Sequence, residues 1–346
     1  MNLKKISVLL MISFVMIISA ACQSSSKSTN ADQKSTKTVD VKVNSYEYTL
    51  PDSSSTTLRE NELVLKVNLT ITNKSDKAIS LYNSDFSLYQ DDAKVSDLSF
   101  YESKDYLDLD SLNKGKSAKG ALYFLVDKGK QYQLVYQESL NKNDESIEID
   151  LDGKKILDTA KKLEDPAKAL SAYTDIIVFD QKNNQFSDLT GDNQSDVVNK
   201  YNEKFIKDFK RSARIYGDEI SDREILSMYK RMQSTMRDKA KVEATVKTIS
   251  DDEAKVVAKV TGIDASNLGD KLDEARTEFY NGKIRSKKEL YKKSLDLYVT
   301  EFEKLPPMSS PVEFEVKMKR HGDDQWKIDL NDFRTENYMG GFIKTR

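Results

Sequence analysis

The period of the hydrophobic residues changes once along this chain, and that change sets the number of folding units. Between about residues 39 and 150 the apolar positions recur every second residue. Leu63, Leu65, Val67, Leu69 and Ile71 alternate with Val64, Lys66, Asn68, Thr70 and Thr72, the pattern of a strand with one buried face. Asn73-Lys74-Ser75-Asp76-Lys77 breaks the run, and Phe86 and Leu88 resume it. Leu122, Phe124, Val126 and Tyr132, Leu134, Tyr136 form two more runs around Asp127-Lys128-Gly129-Lys130. Short strands with polar turns and no helical period predict an antiparallel β-sandwich over residues 39–150.

From about residue 154 the period becomes helical. Leu170, Tyr173, Ile176 and Ile177 follow Pro166, and Val198, Tyr201, Phe205, Phe209 and Tyr216 form a second stripe. Ser221 and Glu224 make a capping box ahead of Ile225, Met228, Met232 and Met236. Methionine at this spacing reads as core filler. Val242, Ala244, Val246 face Val256, Ala258, Val260 across the turn Ser250-Asp251-Asp252-Glu253. A helical region runs from Gly269 to Leu305, breaks near Asn281-Gly282 and restarts at Ser286 and Glu289. Pro306-Pro307 stops it. Val312, Phe314, Val316, Met318 and Trp326, Ile328, Leu330 alternate about His321-Gly322-Asp323-Asp324. The order predicts an α+β domain over residues 154–346, its helices on one face of an antiparallel sheet. A cystatin-like or NTF2-like curl fits that order. Two domains also suit 346 residues, because a single core seldom grows beyond about 250–300.

The first 21 residues stand apart. Lys4 and Lys5 precede Ile6 to Ile18, an almost unbroken apolar run, and Ser19, Ala20 and Ala21 are small. That is a secretory signal peptide, with a run shorter than the roughly 18–20 residues of a membrane-spanning helix. The only cysteine in the chain, Cys22, follows at once. Gln23 to Thr38 is polar and without apolar periodicity, which predicts a flexible tether reaching about 20–25 Å.

Two stretches carry a resemblance to known families. Ala20-Ala21-Cys22 resembles the lipobox of bacterial lipoproteins, although Ser19 stands where Leu is usual. The resemblance implies lipidation of Cys22 on sulfur, cleavage just before it, and anchoring at the outer face of the cell membrane, for which two acyl chains suffice. The phrases NLTITNKSDKAISLYNSDFSLYQDD (68–92) and LNKGKSAKGALYFLVDKGKQYQLVY (112–136) resemble the immunoglobulin-like, telokin-like domains of Gram-positive surface lipoproteins. The "A-x-x-A-Y-x-D" run at Ala169 and the "W-x-I" at Trp326 resemble the α+β domain that follows in those proteins. The likeness implies a fold and brings no catalytic residues.

Composition narrows the chemistry. The 55 Lys and Arg against 57 Asp and Glu give a net charge of −2, or −4 without residues 1–21, which argues against a nucleic-acid partner. One cysteine excludes an internal disulfide framework. One histidine, His321 in a turn, leaves little room for imidazole catalysis. No nucleotide-binding loop, G-x-S-x-G, HExxH or CxxC occurs, and no cofactor is implied.

Several constellations remain as candidate sites. Asp188, Asp192 and Asp196 in DLTGDNQSD have the spacing of a calcium loop. Asn193 and Asn199 depart from the EF-hand pattern, and a helix N-cap at Ser195 or Asp192 explains the same residues. Asp105, Asp108 and Asp110 form an acidic stretch that reads as a solvated loop. Lys200, Lys204, Lys207, Arg211 and Arg214 recur at steps of 4, 3, 4 and 3, opposite the Val198/Tyr201/Phe205/Phe209 stripe. They suit contact with an anionic envelope component, or serve as an ordinary solvated face. Lys283, Arg285, Lys287, Lys288, Lys292 and Lys293 form a second basic cluster. The expectation is a non-enzymatic, lipid-anchored surface protein. Its partners are the membrane through Cys22 and an anionic envelope polymer or a protein. A carboxylate-based envelope hydrolase and a solute-binding lipoprotein are the alternatives.

Overall fold

The computed structural model describes residues 32–52, 56–99, 103–107, 111–138, 145–250, 252–281, 286–322 and 324–345. Cys22, Asp108, Asp110, Lys283 and Arg285 lie outside them.

The first unit is built from β1 (Gln33–Ser35), β2 (Val39–Thr49), β3 (Glu62–Asn73), β4 (Ile79–Ser80), β5 (Phe86–Gln90), β6 (Ala93–Lys94), β7 (Asp97–Leu98), β8 (Ser111–Leu112), β9 (Ser117–Asp127), β10 (Gln131–Gln137) and β11 (Ser146–Asp152). One sheet has the order β1-β2-β3-β9-β7 and the other β11-β10-β5-β6. The alternation read in β3 is what joins them. Leu65 pairs with Phe124 and Val67 with Leu122, so both strands present their apolar sets to the same side. Leu65, Val67, Leu69 and Ile71 are buried there against Leu88, Leu134 and Ile149.

Part of the expected tether is strand. Gln33, Lys34 and Ser35 pair with Lys42, Val41 and Asp40, and the Asp32 carbonyl accepts from the Val43 amide at 3.0 Å. All three β1 side chains are exposed. Backbone pairing fixes this edge strand, so it leaves no hydrophobic trace.

The second unit comprises α1 (Leu157–Lys162), α2 (Asp165–Ile177), α3 (Phe186–Thr190), α4 (Gln194–Ser212), α5 (Asp222–Lys239), β12 (Lys241–Ile249), β13 (Glu253–Thr261), β14 (Ile263–Asp264), α6 (Leu268–Asn281), α7 (Lys287–Phe302), β15 (Val312–His321), β16 (Gln325–Ile328), α8 (Phe333–Gly340) and β17 (Ile343–Lys344). Its sheet runs β12-β13-β15-β16, all antiparallel. The hairpin register matches the sequence pattern, with Val242 opposite Val260, Ala244 opposite Ala258 and Val246 opposite Val256. Val256, Ala258, Val260, Val316 and Met318 are fully buried on one face, beneath α2 with its buried Leu170, Tyr173, Ile176 and Ile177. The other face carries Lys255, Lys259, Glu313, Glu315, Lys317, Lys319 and Lys327, none of them buried.

Ser221 caps α5 in a two-way capping box with Glu224, and Ser286 caps α7. The cap of α4 differs from expectation. It is Asn193, whose side-chain oxygen accepts from the Asp196 amide at 3.2 Å, because Asp192 is drawn away into another contact. Helix α8 extends the expected element order. Asp332 caps it, accepting from the Arg334 and Thr335 amides, and it packs on β15 through Phe314 and Tyr338.

The two units meet through polar and apolar contacts. The Tyr48 amide donates to Thr159 Oγ1 at 2.9 Å, and the Ile249 amide donates to the Pro51 carbonyl at 3.2 Å. Lys104 of the first unit pairs with Asp252 of the second. Leu163 packs against both cores.

Candidate functional site

Helix α4 carries the basic stripe and is held lightly. None of its 19 residues is fully buried. Val198, Tyr201, Phe205 and Phe209 are half-buried against the core. Phe205 stacks on Tyr229 of α5 with ring centroids 4.0 Å apart, and the Tyr229 hydroxyl donates to the Ile177 carbonyl at 2.9 Å. This aromatic seam fixes one side of α4 and leaves the opposite side to solvent.

The stripe is not five free cations. Lys204 lies 2.9 Å from Glu336 of α8 and 3.2 Å from Asp208. Hydrogen bonds to those two carboxylates hold its ammonium above the ordinary lysine range. Arg211 pairs with Asp208 at 3.0 Å. Lys200 and Lys207 are exposed and make no ion pair among the described residues. Arg214 lies past the helix end in the left-handed region, φ 54°, and so leaves the helical face. Tyr216 leaves the apolar stripe for the same reason and is 88% exposed.

Three of the four described lysines of the second basic cluster are paired. Lys287 pairs with Glu219 at 3.2 Å, Lys292 with Glu224 at 2.6 Å and Lys293 with Glu289 at 3.1 Å. The Lys292 hydrogen bond, with those from Ser221, draws the Glu224 carboxyl down to about 2.

The aspartates of the expected calcium loop do not converge. Asp188 is exposed on α3, and Asp196 is exposed in the first turn of α4. Asp192 accepts from the Tyr173 hydroxyl at 2.6 Å and from Lys327 of β16 at 2.6 Å. Among the described residues no group of three or more acidic, histidine or cysteine side chains is placed to hold a metal. Burial works to raise the Asp192 pKa, but the hydrogen bonds from Lys327 and Tyr173 and the lysine charge outweigh it and hold the carboxyl below its usual range.

Asp192 is therefore a latch between α3, α2 and the sheet edge. Its folded pKa is depressed, so its contribution is complete above the unfolded aspartate value near 4 and is lost as pH falls through the lower folded value. Asp192→Asn is expected to cost about 1–2 kcal/mol at neutral pH. Denaturant titrations should show the gap between variant and parent closing in acid. A gap that stays constant with pH would contradict the latch.

Asp105 is likewise committed. It pairs with Lys66 at 2.5 Å and accepts from Ser103 and Tyr123 at 2.6 Å each. His321 ends β15 and is exposed.

Two hollows frame these elements. One of about 410 Å³ opens beside Asp192 and is lined by Lys200 of α4 and by Lys319 and Lys327 of the sheet, among others. Strand alternation hid these two lysines among other outward residues. The other, about 620 Å³, lies between the two units and is lined by Leu50, Leu63, Leu163, Ala167, Ala244 and Val246 among others. One further residue escaped the sequence reading. Phe333, the first residue of α8, is 73% exposed.

Comparison with known proteins agrees with this architecture. The family described as "Domain of unknown function (DUF4352)" matches residues 30–149, and that described as "Domain of unknown function (DUF5105)" matches residues 156–343. The uncharacterized lipoprotein YcdA of Bacillus subtilis is 37% identical over 351 aligned positions, covering 99% of each chain. The crystal structure of that lipoprotein superposes with a TM-score of 0.76 at 35% identity, covering 90% of this chain and 98% of that one. Among the described residues no helix is long and apolar enough to cross a membrane. With both domains matched in order and the relative matched end to end, the chain belongs to the YcdA family of two-domain lipoproteins, lipid-anchored at the cell surface.

Proposed function

We propose that this is a non-enzymatic surface protein, anchored through lipidated Cys22, whose α+β domain (154–346) binds anionic groups of the cell envelope. The sandwich (39–150) acts as its spacer. The observation that carries this reading is the solvent side of α4. Residues 194–217 hold six Lys and Arg against three Asp and Glu, in a chain whose net charge is −2. Lys200 and Lys207 stand there without an ion pair among the described residues.

The hydrolase alternative finds less support. A glycosidase-type acid needs a raised pKa. Every carboxylate with a shifted pKa among the described residues is shifted down: Glu62, Asp105, Glu145, Asp192, Glu219, Glu224, Asp252 and Asp264. A transporter-feeding solute binder would need two lobes of parallel βαβ units, and both larger folding units here are antiparallel.

The test is retention of the lipid-free ectodomain, Gln23 to Arg346, on purified envelope fractions. It contains both cores. Retention should fall at least fivefold between low and high salt, since exposed charges are screened beyond about 10 Å at 0.1 M. Lys200→Glu with Lys207→Glu should abolish it. No retention at either salt would overturn the reading.

A further inference from the structure

Two large aromatic side chains border the basic side of α4 and project into solvent. Phe333 is 73% exposed and Tyr216 is 88% exposed. Neither position is accidental to the fold around it. Glu336, one turn beyond Phe333 on α8, bonds to Lys204 in the middle of α4, which brings the start of α8 beside the stripe. Tyr216 follows Arg214, whose left-handed backbone turns the chain out of α4. From Lys204 to the helix end is about 12 Å, so the two aromatics flank the C-terminal half of the stripe.

We infer that this face docks on the anionic bilayer surface, with Phe333 and Tyr216 seated at the headgroup level and Lys200 and Lys207 against lipid phosphates. The inference rests on the reading of α4 as an anion-binding face and names its partner. A soluble polyanion accounts for the lysines but gives an exposed Phe no apolar surface to enter. A lipid interface takes both, because aromatic rings settle at the headgroup boundary while basic residues meet the negative surface. Asp208 and Glu336 do not oppose this, since they are already paired with Arg211 and Lys204. Asp196 and Glu203 are the exposed carboxylates of α4.

The anchor geometry allows the contact. Asp32 is held at the level of Val43 on the sandwich flank, six residues along β2 from Thr49, or about 20 Å from the junction with the α+β unit. The ten residue steps from Cys22 to Asp32 span at most about 35 Å. The anchor therefore leaves from the side of the sandwich and not from its far tip, and the α+β domain can lie on the same bilayer.

The experiment is co-sedimentation of the lipid-free ectodomain with vesicles of phosphatidylcholine alone or with 30% phosphatidylglycerol, alongside binding to soluble poly(glycerol phosphate). The protein is expected to bind the anionic vesicles at least tenfold more than the neutral ones. Phe333→Ser with Tyr216→Ser should weaken vesicle binding at least fivefold and leave polymer binding unchanged. Phe333→Trp should shift its emission to shorter wavelength on anionic vesicles, against the constant background of the buried Trp326. Polymer binding without vesicle binding, or vesicle binding indifferent to both aromatics, would overturn the bilayer as partner and leave the anionic reading standing. Indifference of both ligands to Lys200→Glu with Lys207→Glu would overturn the two together.

Discussion

Replacing Cys22 by Ala is expected to move the protein from the membrane fraction into the culture medium. Each buried methylene of an acyl chain contributes about 0.8 kcal/mol, so one chain holds a protein only reversibly and two hold it stably. The family is lipid-anchored, and Cys22 is the one thiol in the chain able to carry that anchor. On the proposed reading, the exposed lysines of α4 would add a second, electrostatic contact that salt weakens. The two contributions separate cleanly. Wild-type protein should stay with membranes through a high-salt wash. The Cys22→Ala protein should be released by salt even where α4 retains a fraction at low ionic strength. Variant protein that resists the wash with its signal peptide removed would show that the anchor lies elsewhere.

How much of this was legible in the sequence depends on where each partner residue sits. Val242 and Val260 could be paired in advance because a hairpin places partners close in sequence and strand alternation fixes the face. The spacing of Lys200, Lys204, Lys207 and Arg211 correctly put them on one side of a helix. Their ion pairing could not be read that way, because Glu336 reaches Lys204 from 132 positions later. Tyr216 continued the apolar spacing from Phe209, but the helix stops at Ser212 and Arg214 reverses the backbone. Asp192 looked like a cation ligand because its true partners, Tyr173 and Lys327, come from different elements. Phe333 was invisible for the opposite reason. An exposed phenylalanine at the start of an eight-residue helix follows no core periodicity.

The join between the domains yields the second large expected effect, at Gly153. Its amide donates to the Lys130 carbonyl at 2.8 Å, which closes the sandwich and opens the turn leading into α1. Beside it the Tyr48 and Tyr132 hydroxyls bond at 2.7 Å. Tyr132 donates to the Asp127 carbonyl at 2.6 Å, and Tyr48 accepts from the Gly129 amide at 2.7 Å. A methyl group on Gly153 would lie 2.5 Å from the Lys130 oxygen, 2.5 Å from the Tyr48 hydroxyl and 2.7 Å from the Tyr132 ring. None of these neighbours is a free side-chain end, so relief requires breaking the network. Gly153→Ala should therefore cost about 2–3 kcal/mol through overpacking and lower the Tm by roughly 5–10 °C. Gly269→Ala in α6 is the control, because nothing lies within 4 Å of the added carbon and alanine favours a helix by about 1 kcal/mol over glycine. Since the same turn positions Thr159 under the Tyr48 amide, the Gly153 variant should also be cut faster by protease between residues 153 and 163. Equal melting of the two variants would mean that the tyrosine pair yields without cost and that the domain join is held by its other contacts instead.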